Sequence, residues 1–406
     1  MSTLAAVEIT LHLFPDLLPA SYRERFAMHG VELYHPGILE TTPIRGVPLP
    51  LMVRPHLGPP PADLKELGLA PSDEDYDVRC YSRISLPSDS LGLPNPTEMD
   101  RSDILMLGDS FGVAAGTAEP PGLRSRLAEV TGQVVFNLSV AAIGPVREEW
   151  LLDKVGFEKN PDCVVWLFYA GNDATQSIEP LIHEHNGLNT WAEVYADRRP
   201  PFLLLPDLVR EGLSSRPQAS AQATLPGFRF RLADGSFQPI WFLPECLRQL
   251  SWNRERWEAD LGWRNTREIF KRVRKKCADR NVKLLVVYLP TKSQAYLPHV
   301  EADAQLLLST AQRLWQETIE GGAEAFQSEA LENRNALEKS FMDFCAREGI
   351  AACSATPCIE ELARAGILGF LATDTHWQEI GQEALLATLV DALVNLGVVD
   401  EDRRMQ

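Results

Sequence analysis

The central half of the chain is punctuated by apolar runs that carry almost no polar alternation. They are Ile104–Leu107, Val134–Leu138, Cys163–Tyr169 and Leu284–Leu289. Runs of this length without alternation fit strands buried on both faces, the habit of parallel sheets. Helical periods fall between them, over Leu123–Thr131, Arg147–Val155 and Trp257–Arg280. A short strand at Ile350–Ala352 follows, then an amphipathic closing helix over Gln378–Leu396 with Gly397 as its stop. Strands separated by helices predict right-handed crossovers. The fold class read from this pattern is α/β, with a parallel sheet covered on both faces.

Two stretches break the rhythm. Residues 1 to about 100 form a proline-rich arm or small subdomain. Within it Pro43–Pro61 suits an extended edge, and Arg83–Leu93 suits a short strand feeding the α/β domain. Residues 177–252 carry five or more prolines and no clean period, which is too long for a plain loop and predicts an inserted lid. The expected division is therefore an arm at 1–100, an α/β domain at 101–176 and 281–397, and a lid at 177–280 ending in a long helix. Glu301–Arg334 reads as a largely helical, acidic second excursion. The basic run Lys271–Lys276 reads as a solvated helix face.

Charge narrows the function classes. A formal net charge of −17 over 406 residues argues against nucleic acid or an anionic membrane as the main partner. The seven cysteines fit neither a disulfide framework nor a zinc site, so reduced thiols are expected, with Cys163 a small core residue. No run approaches the ~18 apolar residues of a membrane span. The expected location is cytoplasmic for the chain as written, and periplasmic or membrane-associated if the true start lies upstream. The oligomeric state is left open.

The candidate chemistry lies where apolar runs stop. Ile104–Leu107 ends in Gly108-Asp109-Ser110, which places a hydroxyl at the C-terminal edge of the predicted sheet. Serine attacks only when a base takes its proton. Among eight histidines the best base is His376, with Asp374 two residues upstream to fix its tautomer. Asn172, in Gly171-Asn172-Asp173 after the third run, can donate to an oxyanion. Each residue also has a structural reading: Ser110 and Asp374 as helix caps, His376 as a packed side chain, Asn172 as an ordinary turn residue. A phosphate or nucleotide site at Gly108 is disfavoured, because no glycine-rich loop with a following lysine is present.

Together these segments resemble the SGNH (GDSL-type) hydrolase superfamily. Gly108-Asp109-Ser110 is similar to its first block, Asn137–Pro145 to its second, Gly171-Asn172-Asp173 to its third and Asp374-Thr375-His376-Trp377 to its last. The one-residue gap between Asp374 and His376 is similar to the branch of polysaccharide O-acetyltransferases and related esterases, as is Pro290–Tyr296. The resemblance implies a flavodoxin-like three-layer α/β/α fold and acyl-ester chemistry needing no cofactor and no metal. It implies Ser110 as nucleophile, His376 and Asp374 as base and acid, and an oxyanion hole of Ser110, Ala142 and Asn172. Ala142 stands where the family has glycine; the donor is a backbone N–H, which alanine also provides, and Gly144 allows a shifted register. The implied substrate is a small acyl ester or acetylated carbohydrate. Transfer to a sugar, or glycan binding without catalysis, are the alternatives.

Overall fold

In the computed structural model the described residues are 49–52, 83–86, 89, 93–95, 97–113, 122–140, 143–177, 227–312, 319–372 and 375–403. Five parallel strands form the central sheet: β1 (Ile104–Leu107), β2 (Val135–Asn137), β3 (Cys163–Tyr169), β4 (Lys283–Leu289) and β5 (Ala351–Ser354). Their spatial order is β5-β4-β3-β1-β2, the flavodoxin-like arrangement in which the chain runs one way from β1 to β2 and the other way from β3 onward. Register is fixed along the middle of the sheet, with Leu105 opposite Phe136 on one side and Val164 on the other.

Alternate residues of each strand feed opposite layers. Ile104, Met106, Val165, Leu167, Leu285 and Val287 face a core covered by α1 (Leu123–Thr131) and the closing helix α6 (Glu379–Asn395). Leu105, Leu107, Val164, Trp166, Phe168 and Val286 face a second core. That core is covered by α2 (Pro145–Lys154), α3 (Leu261–Ala278) and α5 (Ala336–Glu348). β3 is buried along all seven of its residues, as a central parallel strand must be. A fully buried aromatic or aliphatic side chain contributes about 1.5–3 kcal/mol, so the unbroken apolar run is itself the force that centres this strand. The α/β/α layering expected from the pattern is the fold observed. Cys163 is buried in the core, and the closing helix stops with Gly397 at φ 62°.

Several local expectations are corrected. The helix expected over Trp257–Arg280 is two helices, Arg254–Ala259 and α3, because Asp260 is extended and its carboxylate caps α3 by accepting from the Trp263 amide at 2.8 Å. α3 lies on the central sheet, with Trp263, Phe270 and Val273 in its second core. In the basic run on α3, Arg272 and Lys276 pair with Glu149 of α2, while Lys271 and Lys275 pair along their own helix with Glu268 and Asp279. Arg83–Leu86 pairs antiparallel with Leu49–Met52 and does not join the central sheet. Glu301–Arg334 opens in a strand, Val300–Glu301, followed by helices Ala304–Gln312 and Gly322–Asn333.

Of the expected lid, residues 178–226 lie outside the described part. From 228 the chain forms a hairpin, Phe228–Arg231 and Phe237–Ile240, joined by a turn with Gly235 at φ 85°. Val300–Glu301 extends it to three strands. Phe228, Phe230, Ile240 and Phe242 pack into the same core as α1 and α6. Among the described residues no helix is long and apolar enough to cross a membrane.

Candidate active site

The topological switch lies between β1 and β3, and their C-terminal ends carry the candidate residues. β1 leads through Gly108 into a tight turn built by Asp109. Its buried carboxylate accepts the Phe111 amide at 2.9 Å, and its carbonyl accepts the Gly112 and Val113 amides at 3.1 and 3.2 Å. This Asx-type turn holds Ser110 at the sheet edge, half-buried. A Cβ on Gly112 would sit 2.1 Å from Ser139 Oγ, so glycine is what lets the turn close against the segment after β2. Val140 N donates to Gly108 O at 3.1 Å and continues the β1–β2 ladder past the strand ends.

His376 comes from the far end of the chain. Its Nε2 lies 2.8 Å from Ser110 Oγ. It sits on a short arm whose described segments, 367–372 and 375–378, are joined by an antiparallel bridge between Phe370 and Trp377. Leu371 N donates to His376 O at 2.9 Å inside that fold. Phe111, next to the serine, packs on the same group: its ring centroid is 5.2 Å from His376, 5.8 Å from Trp377 and 4.1 Å from Tyr169. The Tyr169 hydroxyl lies 2.6 Å from Thr375 Oγ1. Tyr169 therefore touches the residue after Ser110 and the residue before His376, and ties the two ends of the site together.

Asn172 follows β3. Its Nδ2 donates to Asp109 Oδ2 at 3.3 Å and to Gln176 Oε1 at 3.2 Å, while its Oδ1 is buried without a partner. Both bonds are long for N–H···O contacts, so the amide is weakly held. Gly171 beside it is required by Tyr169, whose ring a Cβ would meet at 2.4 Å.

Behind these residues lies a set of buried carboxyls. Glu148 of α2 accepts from Trp166 Nε1 at 2.6 Å and leaves Oε1 unpaired. Asp173 accepts from Tyr169 N at 2.7 Å and leaves Oδ1 unpaired. Burial, and then the Asp109 charge, push the Glu148 carboxyl well above its ordinary range. Burial, then Glu148 and Asp109, do the same for Asp173. Burial raises Asp109 as well, opposed by the Phe111 amide, His376 and Asn172. In this dry interior the carboxyls raise one another, because ionising all of them would put unscreened like charges together.

Of the residues singled out in the sequence, Ser110 and His376 meet, and Asn172 joins them through Asp109. Asp374 and Ala142 lie outside the described residues. Among the described residues no three His, Cys, Asp or Glu are placed to hold a metal ion. Sequence reasoning missed the roles of Tyr169 and Asp109 in this site. Asp109 was visible as the middle of Gly-Asp-Ser, and Tyr169 as the hydroxyl that ends an apolar strand.

No family model matches this chain, and no curated protein matches it. Solved structures resemble it in the layering of the fold. TesA shares 12% identity, with 72% of this chain and 98% of that one covered and a TM-score of 0.35. A catalytic mutant of Axe2, an acetylxylan esterase from Geobacillus stearothermophilus, shares 8%, covering 73% and 95%, with a TM-score of 0.36. A lipase/acylhydrolase from Enterococcus faecalis shares 12%, covering 72% and 95%, with a TM-score of 0.34.

Proposed function

We propose that this protein is a serine-dependent ester hydrolase of SGNH type that acts through an acyl-enzyme. The observation that carries the reading is the 2.8 Å contact between His376 Nε2 and Ser110 Oγ at the switch point of the sheet. Two side chains 266 residues apart in sequence are brought to hydrogen-bond distance there. In the proposed reaction Ser110 Oγ bonds to the ester carbonyl carbon as its proton passes to His376 Nε2. Asp374 keeps the imidazole oriented. The carbonyl oxygen becomes an oxyanion, which Asn172 and the backbone amides of Ser110 and Ala142 receive. When the carbonyl re-forms, the alcohol leaves with the proton from His376. Water, activated by the same imidazole, then attacks the acyl-serine and releases the acid.

The choice of O-acetyl groups on a carbohydrate rests on the resemblance of the Asp374–Trp377 block. A sugar hydroxyl in place of water would make the same site an acetyltransferase.

The reading is tested by p-nitrophenyl acetate hydrolysis with the wild type, Ser110→Ala and His376→Ala, run with and without an acceptor oligosaccharide. Both variants are expected to lose ~10⁴-fold or more in turnover. Acetylated oligosaccharide in the products would identify the transferase. Equal background rates in all three proteins would leave a glycan-binding module instead.

A further inference from the structure

The arm that carries His376 is not part of the sheet, so its backbone groups need partners from elsewhere. Side chains supply several of them. Lys292 Nζ donates to Leu371 O at 2.9 Å and to Ala372 O at 3.1 Å. The Tyr296 hydroxyl accepts from Gly369 N at 2.7 Å and donates to Ile367 O at 2.8 Å. Both residues belong to α4 (Lys292–Tyr296), a single helical turn at the C-terminal end of β4, capped by Thr291, whose hydroxyl accepts from Gln294 N at 3.0 Å. Spacing of four places the two side chains on one face of that turn. Trp241 N adds a third support by donating to Ala372 O at 3.0 Å.

A lysine here is chemically specific. It is only 2% exposed, and a buried ammonium is costly unless its donors are satisfied. Its compact head carries three N–H groups, which lets one side chain serve the carbonyls of two successive residues. Leu371 is at the same time the residue whose amide holds His376 O. The ammonium is thus one residue's width from the main-chain bond that sets the height of the histidine.

We propose that Lys292 and Tyr296 are positioning residues: they clamp the 367–372 segment of the arm and so hold His376 Nε2 within hydrogen-bond reach of Ser110. This deepens the serine-hydrolase reading and rests on it. Misplacing a base by about 1 Å costs on the order of 10²-fold, so a clamp of this kind acts on turnover and leaves substrate affinity alone.

The test uses the full-length protein and three variants: Lys292→Met, which keeps an unbranched chain and removes the ammonium, Lys292→Gln, which keeps a neutral donor, and Tyr296→Phe. Two quantities are read. One is backbone hydrogen exchange over 367–378 compared with β3. The other is the rate of Ser110 labelling by a fluorophosphonate, with kcat and KM for p-nitrophenyl acetate. For Lys292→Met, exchange in the arm should quicken at least about tenfold while β3 is unchanged. Labelling and kcat should fall about 10–100-fold with KM within about threefold. Lys292→Gln should lie between wild type and Lys292→Met.

Unchanged labelling in a folded Lys292→Met protein would overturn the proposal. So would exchange that quickens equally in the arm and in β3, since that is loss of stability and not of position. If Lys292→Met does not fold, Tyr296→Phe, which removes one oxygen, decides by the same two readouts. A wild type that takes up no fluorophosphonate would remove the hydrolase reading, and the exchange arm would still decide whether the clamp exists.

Discussion

The two halves of the site are held by different means. Ser110 stands at the end of β1, and its turn is made by its own neighbours: Asp109 closes it onto Phe111, Gly112 and Val113. His376 stands on an arm outside the sheet, held by side chains from distant segments, including Tyr169, Lys292 and Tyr296. The proposed nucleophile sits in a turn closed by its own neighbours and is local and compact. The proposed base can be moved, tuned or lost by substitutions more than 70 residues away. The site is therefore more vulnerable to distant substitution on the His376 side than on the Ser110 side.

On the Ser110 side, the largest loss short of deleting Ser110 is expected from removing the proposed oxyanion donor. Asn172→Ala should lower kcat for p-nitrophenyl acetate by ~10²–10³ while leaving KM close to wild type. A fully active variant would take Asn172 out of the mechanism and leave its bonds to Asp109 and Gln176 as a structural role.

On the base side a smaller effect is expected from the hydroxyl pair that joins the two halves. Thr375→Val removes one partner of the 2.6 Å contact with Tyr169. A net loss of about 0.5–1.5 kcal/mol corresponds to a roughly 2–10-fold decrease in kcat. Tyr169→Phe should do the same, and the double variant should be no worse than either single one. Additive losses would mean the two hydroxyls act independently.

The smallest effect concerns the carboxyls behind the site. Glu148 and Asp173 titrate above their unfolded values, so folding takes up protons between the two. Their contribution is fully present below the unfolded carboxyl pKa of about 4 and is lost as pH rises through the raised folded values. Glu148→Gln keeps an acceptor for Trp166 and cannot ionise. Its melting temperature should match wild type near the acid end and exceed it by roughly 2 °C or more at alkaline pH. Parallel melting curves across that range would show that Glu148 does not hold a proton in the folded state.

How much of this was legible in the sequence follows the same division. The strands β1, β3 and β4 are apolar on both faces, and unbroken runs such as Cys163–Tyr169 declare themselves. Ser110 and Asn172 could be found because each directly follows such a run. His376 was found only by the company of Asp374 and Trp377, and nothing in its local pattern foretold an arm outside the sheet. Lys292 was hidden for a physical reason: a lysine after a strand reads as solvated surface, and only the folded chain shows it buried against two carbonyls. The break at Asp260 was missed because both flanking segments are helical, and one carboxylate decides that a new helix starts there.

The central claim is that His376 activates Ser110, and fluorophosphonate labelling with peptide mapping tests it most directly. The account predicts a single adduct on Ser110 in the wild type, none in Ser110→Ala, and labelling slowed by several orders of magnitude in His376→Ala. An adduct elsewhere, or equal labelling of Ser110 with and without His376, would contradict it.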